Sequence, residues 1–136
     1  MTRVCRMLLL LLAGIPILVQ AAAILTDIQW QLMEIQGQAV KPTAPGQQPY
    51  VAFTAAGRVE GFGGCNRFFG SYKREGNTLR LSPLGATHMA CPEGMDQEGA
   101  FFDVLSRTDR FERRTQSLDL YAGQQLLARL STPETR

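Results

Sequence analysis

A single histidine and three cysteines are the whole supply of imidazole and thiol in this 136-residue chain. Zinc takes four ligands, or three and a water. A site would therefore have to gather Cys65, His88 and Cys91, with Met89 as a soft addition. A nucleophilic pair would draw on the same residues, His88 with Cys91 or Cys65, and no third group to orient the imidazole is apparent. The expectation is no catalytic residue, no metal and no cofactor. Net charge is scarce as well, with 14 Lys and Arg against 12 Asp and Glu, and two of the basic residues, Arg3 and Arg6, fall in the first 21 positions. Without that segment the count is 12 against 12, so no nucleic-acid partner is expected. Arg113-Arg114 reads as a solvated strand face. Internal repeats and low-complexity runs are absent.

The N-terminal stretch has the order of an export signal: Arg3 and Arg6, an apolar run from Met7 to Val19 interrupted by Gly14 and Pro16, then Gln20-Ala21-Ala22-Ala23. This predicts a signal peptide over 1–21, cleaved after Ala21, with Ala23 as the other cleavage position. The rival reading is an uncleaved anchor running to Leu25, but Pro16, Gln20 and the alanines leave it short of the roughly 20 strongly apolar residues a spanning helix needs. Acylation requires a cysteine directly after the small residues, and the only nearby one, Cys5, precedes the apolar run. The expected address is the periplasm or the exterior, with no stable membrane anchor. Cys65 and Cys91 then enter an oxidising compartment as an even pair, which predicts a disulfide. The competing reading is two buried free cysteines acting as small apolar residues.

Along the rest of the chain, short apolar and aromatic runs alternate with glycine-bearing turns, the pattern of antiparallel strands. Strands are expected at 30–35, 50–54, 58–62, 69–74, 78–81, 110–115, 117–121 and 125–130, with hairpin turns at 55–57, 75–77 and 122–124. Pro42, Pro45 and Pro49 mark a loop between two strands. Residues 132–136 read as a flexible tail. One segment differs: Pro92 to Arg107 carries a first-position proline, acidic Glu93, Asp96 and Glu98 at its start, and Phe101, Phe102 and Leu105 on one side. This predicts a helix whose carboxylates compensate the dipole rather than serving a glycosidase. Gly94 and Gly99 each weaken it by roughly 1 kcal/mol relative to alanine, so packing must hold it. The fold class is α+β, mainly β: a curved antiparallel sheet or open barrel with one packed helix.

The densest motif is Gly61-Phe62-Gly63-Gly64-Cys65-Asn66-Arg67-Phe68-Phe69-Gly70-Ser71-Tyr72. Its glycines suit a bulge or positive φ. A phosphate cradle would need a helix to follow, and strand follows instead. The stretch from Gly64 to Tyr72, followed by Ala86-Thr87-His88-Met89-Ala90-Cys91, resembles the signature of the META domain family, which includes the HslJ heat-shock proteins. Trp30-Gln31-Leu32 with Ile35-Gln36-Gly37, Glu98 with Phe101-Phe102, and Leu118-Asp119-Leu120 extend the likeness over 22–131. The signature positions are Gly64, Cys65, Asn66, Arg67, Phe68, Gly70, Tyr72, Thr87, Met89 and Cys91. Two departures stand out: the lipoprotein cysteine of many bacterial members is missing, and His88 occupies a position where arginine is common.

The resemblance implies a β fold with a helix, an envelope location and, in some members, a part in stress tolerance or secretion. It brings no catalytic residue. Two function classes follow. One is a non-enzymatic interaction or structural module for an envelope protein, using a sheet edge or the aromatic strip Phe62, Phe68, Phe69, Tyr72. The other is a carrier of a small apolar ligand or lipid chain between sheet and helix. Core packing explains the same aromatics.

Overall fold

The computed structural model describes residues 24–43 and 46–135. The expected signal peptide, and Pro45 of the proline loop, lie outside them. Among the described residues there are ten strands and one helix: β1 (Gln29–Ile35), β2 (Gln38–Ala39), β3 (Tyr50–Phe53), β4 (Arg58–Phe62), β5 (Arg67–Glu75), β6 (Thr78–Leu81), β7 (Gly85–Ala86), α1 (Met95–Arg107), β8 (Arg110–Arg113), β9 (Ser117–Ala122) and β10 (Gln125–Ser131). The neighbours run β1-β3-β4-β5-β6-β8-β9-β10, all antiparallel, and β10 returns to β1. The sheet therefore closes into an eight-stranded barrel, the closed counterpart of the open barrel expected from sequence. The two-residue strands β2 and β7 are additions outside this ring, paired to β1 and β5.

Alternation along the strands explains the closure. In β1, Trp30 and Leu32 are fully buried while Gln29 is exposed; in β4, Val59 and Gly61 face in while Arg58 and Glu60 face out. Eight strands leave an interior just wide enough for side chains to fill. Trp30, Phe53, Phe68, Phe111, Leu118, Leu120 and Leu130 fill it from the sheet, and Phe101, Val104 and Leu105 from α1. The Trp30 indole N–H donates to Leu25 O at 3.1 Å, so its polar atom is satisfied inside. Gly61 has a steric reason to be glycine: a Cβ there would lie 2.4 Å from Cζ of Phe68, whose ring crosses that position.

The helix begins at Met95, three residues later than Pro92 predicts. Gly94 precedes it with φ +84°, a left-handed conformation that turns the chain just ahead of the helix and places a Cβ-less position against Thr43. At the far end Thr108 caps the helix, its N–H and hydroxyl both donating to Val104 O. Gly99 is different. It lies inside α1, is exposed, and a Cβ added there meets nothing within 4 Å. Gly99→Ala should therefore raise stability by about 0.5–1 kcal/mol, read as a higher urea midpoint at unchanged slope.

The aromatic strip expected from sequence is divided between two faces. Phe68 lies inside, edge-on to Phe101 at 5.8 Å and Phe102 at 5.4 Å, and Tyr72 stands edge-on to Phe53 at 5.0 Å with its hydroxyl donating to Thr54 O. Phe69 is outside and half exposed. The period of two along β5 makes this division unavoidable.

Candidate functional site

The chain after β4 turns at Gly64, whose φ of +119° is the one left-handed value among Gly61, Gly63 and Gly64. That turn aims two successive backbone N–H groups at the helix. The Cys65 and Asn66 N–H groups donate to Oε2 of Glu98 at 2.8 and 2.6 Å, and Asn66 Nδ2 donates to Oε1 at 2.7 Å. Glu98 is 3% exposed. It lies in the first helical turn, as expected of a dipole-compensating carboxylate, and in addition accepts hydrogen bonds from the Gly64 turn, which the sequence did not suggest. Gly63 lets the carboxylate in, since a Cβ there would stand 2.7 Å from Glu98 Cγ.

Asn66 carries the network onward. Its Oδ1 accepts from Met89 N–H at 2.6 Å and from the Thr87 hydroxyl at 2.9 Å, while Nδ2 also donates to Met89 O at 3.2 Å. One buried amide thus pins the segment after β7 to the start of β5 and to α1. The Cys65–Cys91 disulfide, with Cα atoms 6.0 Å apart, fixes the end of the same segment and is within the range a bridge allows. With both sulfurs in that bond, neither is a thiolate nucleophile or ligand. Among the described residues no three His, Cys, Asp or Glu side chains gather. His88 is exposed in the loop after β7.

Beside this polar node lies an open groove of about 680 Å³. One wall is the chain from Leu84 to Ala90; the other is the α1 face carrying Met95, Glu98 and Phe102. Phe69 stands at the rim at 52% exposure, and Met89 and Met95 are 59% and 42% exposed. The other signature residues serve the walls. Thr87 N–H donates to Arg67 O, and Arg67 N–H to the Thr87 hydroxyl. Gly70 leaves room for Leu84, which would sit 2.9 Å from a Cβ at that position. Arg67 faces outward, its guanidinium reaching the Tyr50 hydroxyl at 3.5 Å. The groups with shifted acidity, Glu112 and Tyr121, do not line this groove; the Glu112 carboxyl is held below its usual range chiefly by its hydrogen bond from Arg110.

The META domain family model matches residues 23–134. The chain belongs to the META domain family. Solved structures with the same fold include an NMR structure of a protein from Burkholderia xenovorans, 28% identical, with a TM-score of 0.64 over 82% of this chain and 85% of that one. A second NMR structure is 22% identical, with a TM-score of 0.63 over 79% and 91% of the two chains. A crystal structure of a DUF4847 family protein from Bacteroides vulgatus shares 12% identity and a TM-score of 0.59, covering 83% of this chain and 97% of its own. None of the curated proteins matches this sequence.

In this META domain the signature residues are thus mostly builders: Cys65, Asn66, Thr87 and Cys91 tie a turn, a loop and a helix together. Asn66, Thr87 and Met89 all line the groove, and Met89 is the one of the three that adds a largely exposed apolar side chain. Sequence reasoning missed Glu98 as an acceptor, and Leu84, Met95 and Phe102 as groove walls. A signal for Glu98 was present. It precedes Phe101 and Phe102 by three and four residues, which places a carboxylate on the apolar side of the helix.

Proposed function

We propose that this META domain protein is a non-enzymatic interaction module of the bacterial envelope, exported through its N-terminal signal, which holds part of an envelope protein in the groove between β7 and α1. The observation that carries the reading is the gathering of half-exposed Phe69, Met89 and Met95 around one groove whose walls are fixed by the Asn66–Glu98 node and the disulfide. Aromatic residues and methionine are enriched at interfaces, and methionine adapts to irregular partners. A stress-related role, as in the HslJ heat-shock proteins, belongs to the same reading.

The carrier reading has less support. The space between sheet and helix, where a lipid chain would lie, is taken by Phe68, Phe101, Phe102, Val104 and Leu105. Native mass spectrometry of the protein isolated from its own envelope tests the choice. The expected result is a co-purifying protein at defined stoichiometry, reduced at least about tenfold by Met89→Asp or Phe69→Ser, which corresponds to about 1.4 kcal/mol at the interface. A bound lipid in place of a protein would overturn the reading.

A further inference from the structure

We infer that the groove takes its partner as an added β-strand: an extended polypeptide segment, with apolar side chains at alternate positions, pairs with the open edge of β7. This rests on the interaction reading above and specifies its chemistry. β7 pairs with β5 on one side, through Phe68↔Ala86 and Phe69↔Gly85, and with no strand among the described residues on the other. In an antiparallel ladder, alternate residues direct both backbone groups to the same neighbour. Here Thr87 N–H bonds to Arg67 O and Met89 N–H to Asn66 Oδ1, so the odd-numbered residues serve the domain. Ala86 and His88, in the opposite phase, direct their N–H groups away from β5, and neither has a partner among the described residues. A partly exposed row of donors at strand spacing is a template for another strand.

The rest of the molecule shows how such an edge is closed when it is not to be used. Beyond β2 the backbone of Lys41 also runs beside α1, and there Gln97 covers it: Lys41 N–H donates to Gln97 Oε1 at 2.9 Å, and Gln97 Nε2 donates to Lys41 O at 2.8 Å. That side-chain amide imitates a neighbouring strand. Facing β7, the same helix presents Met95 and Phe102 instead. Apolar side chains leave the backbone groups of Ala86 and His88 unmatched, yet suit the alternate side chains of an incoming strand. Pairing supplies affinity through the main chain, and Met95 and Phe102, on the helix side, supply preference for apolar residues at every second position.

The test uses the disulfide-bonded protein, labelled with ¹⁵N, and the peptide acetyl-Thr-Val-Lys-Val-Thr-Val-amide. Binding should slow exchange of the Ala86 and His88 amides about tenfold or more. The same peptide with every second backbone nitrogen methylated should bind about tenfold more weakly, because it loses the main-chain bonds. Ala86→Pro should weaken binding similarly while leaving the melting temperature near the parent value, since that N–H makes no bond among the described residues. Failure of the peptide to bind at millimolar concentration overturns strand addition. So does binding without protection of Ala86 and His88, or equal binding of the methylated peptide; a protein partner still seen by native mass spectrometry would then leave the interaction reading standing. Protection that rises with protein concentration in the absence of peptide would show two copies pairing through this edge, and would also overturn the proposal.

Discussion

Replacing Glu98 by glutamine should destabilise the protein by about 2–4 kcal/mol, although only one oxygen becomes an NH₂ group. The carboxylate meets donors on both oxygens: Cys65 and Asn66 N–H at Oε2, and Asn66 Nδ2 at Oε1. A side-chain amide has one acceptor to offer. Turned to satisfy the backbone, it sets its own NH₂ against Asn66 Nδ2. Asn66 cannot flip to relieve this, because Met89 N–H and the Thr87 hydroxyl already require its oxygen where it is. Two donors then face each other at a nearly buried position, where an unmatched polar group carries much of its desolvation cost. The loss is a large part of a net stability of roughly 5–15 kcal/mol. Urea unfolding should show a lower midpoint at unchanged slope. A second change, Asn66→Asp, supplies an acceptor opposite the introduced amide, and the double variant should recover part of the loss in a double-mutant cycle. Equal stability of Glu98→Gln and the parent would mean that the node contributes nothing.

Cys65→Ser and Cys91→Ser should each lower the melting temperature by on the order of 10 °C or more, with the double variant little worse than either one. The bridge closes a loop with a sequence separation of 26 residues. On the chain-entropy account a loop of that size restrains the unfolded state by about 3.5 kcal/mol, with delivered values often smaller. Each single change removes the whole crosslink, which is why the effects do not add. The bridge also holds the groove wall. It ends the segment whose middle is pinned by Asn66, so both serine variants should speed exchange of the Met89 amide even at temperatures where the barrel remains folded. Alkylation under denaturing, non-reducing conditions gives the direct check: no modified thiol is expected at Cys65 or Cys91 in the parent, and two would show that the bridge is absent.

Much of the architecture was legible because it depends on local pattern. Alternation marked all eight barrel strands within a few residues, and Gly57, Gly76 and Gly123, which lie in the predicted hairpin turns, all adopt positive φ. The short strands β2 and β7 escaped, since two residues carry no periodicity to read. The helix start was misplaced because Pro92 and Glu93 satisfy the local rules for a first turn, while the disulfide at Cys91 and the left-handed Gly94 impose a tertiary one. Cys65 and Cys91 were paired by count and compartment. Their approach to 6.0 Å is a property of the fold.

The sequence by itself determined that the chain would form an antiparallel β structure with one helix, and it carried the motifs of the META family, because periodicity, turn chemistry and motif spacing are written along the chain. Only the tertiary structure decided that the barrel closes through β1 and β10, that of Phe68 and Phe69 it is Phe68 that enters the core, and that Glu98 accepts hydrogen bonds from the Gly64 turn. It also decided that β7 keeps an open edge while Lys41 does not. The physical reason is common to all four. Each depends on which groups from distant segments meet, and a hydrogen bond or a packed ring is fixed by its partner in space, which no local pattern names.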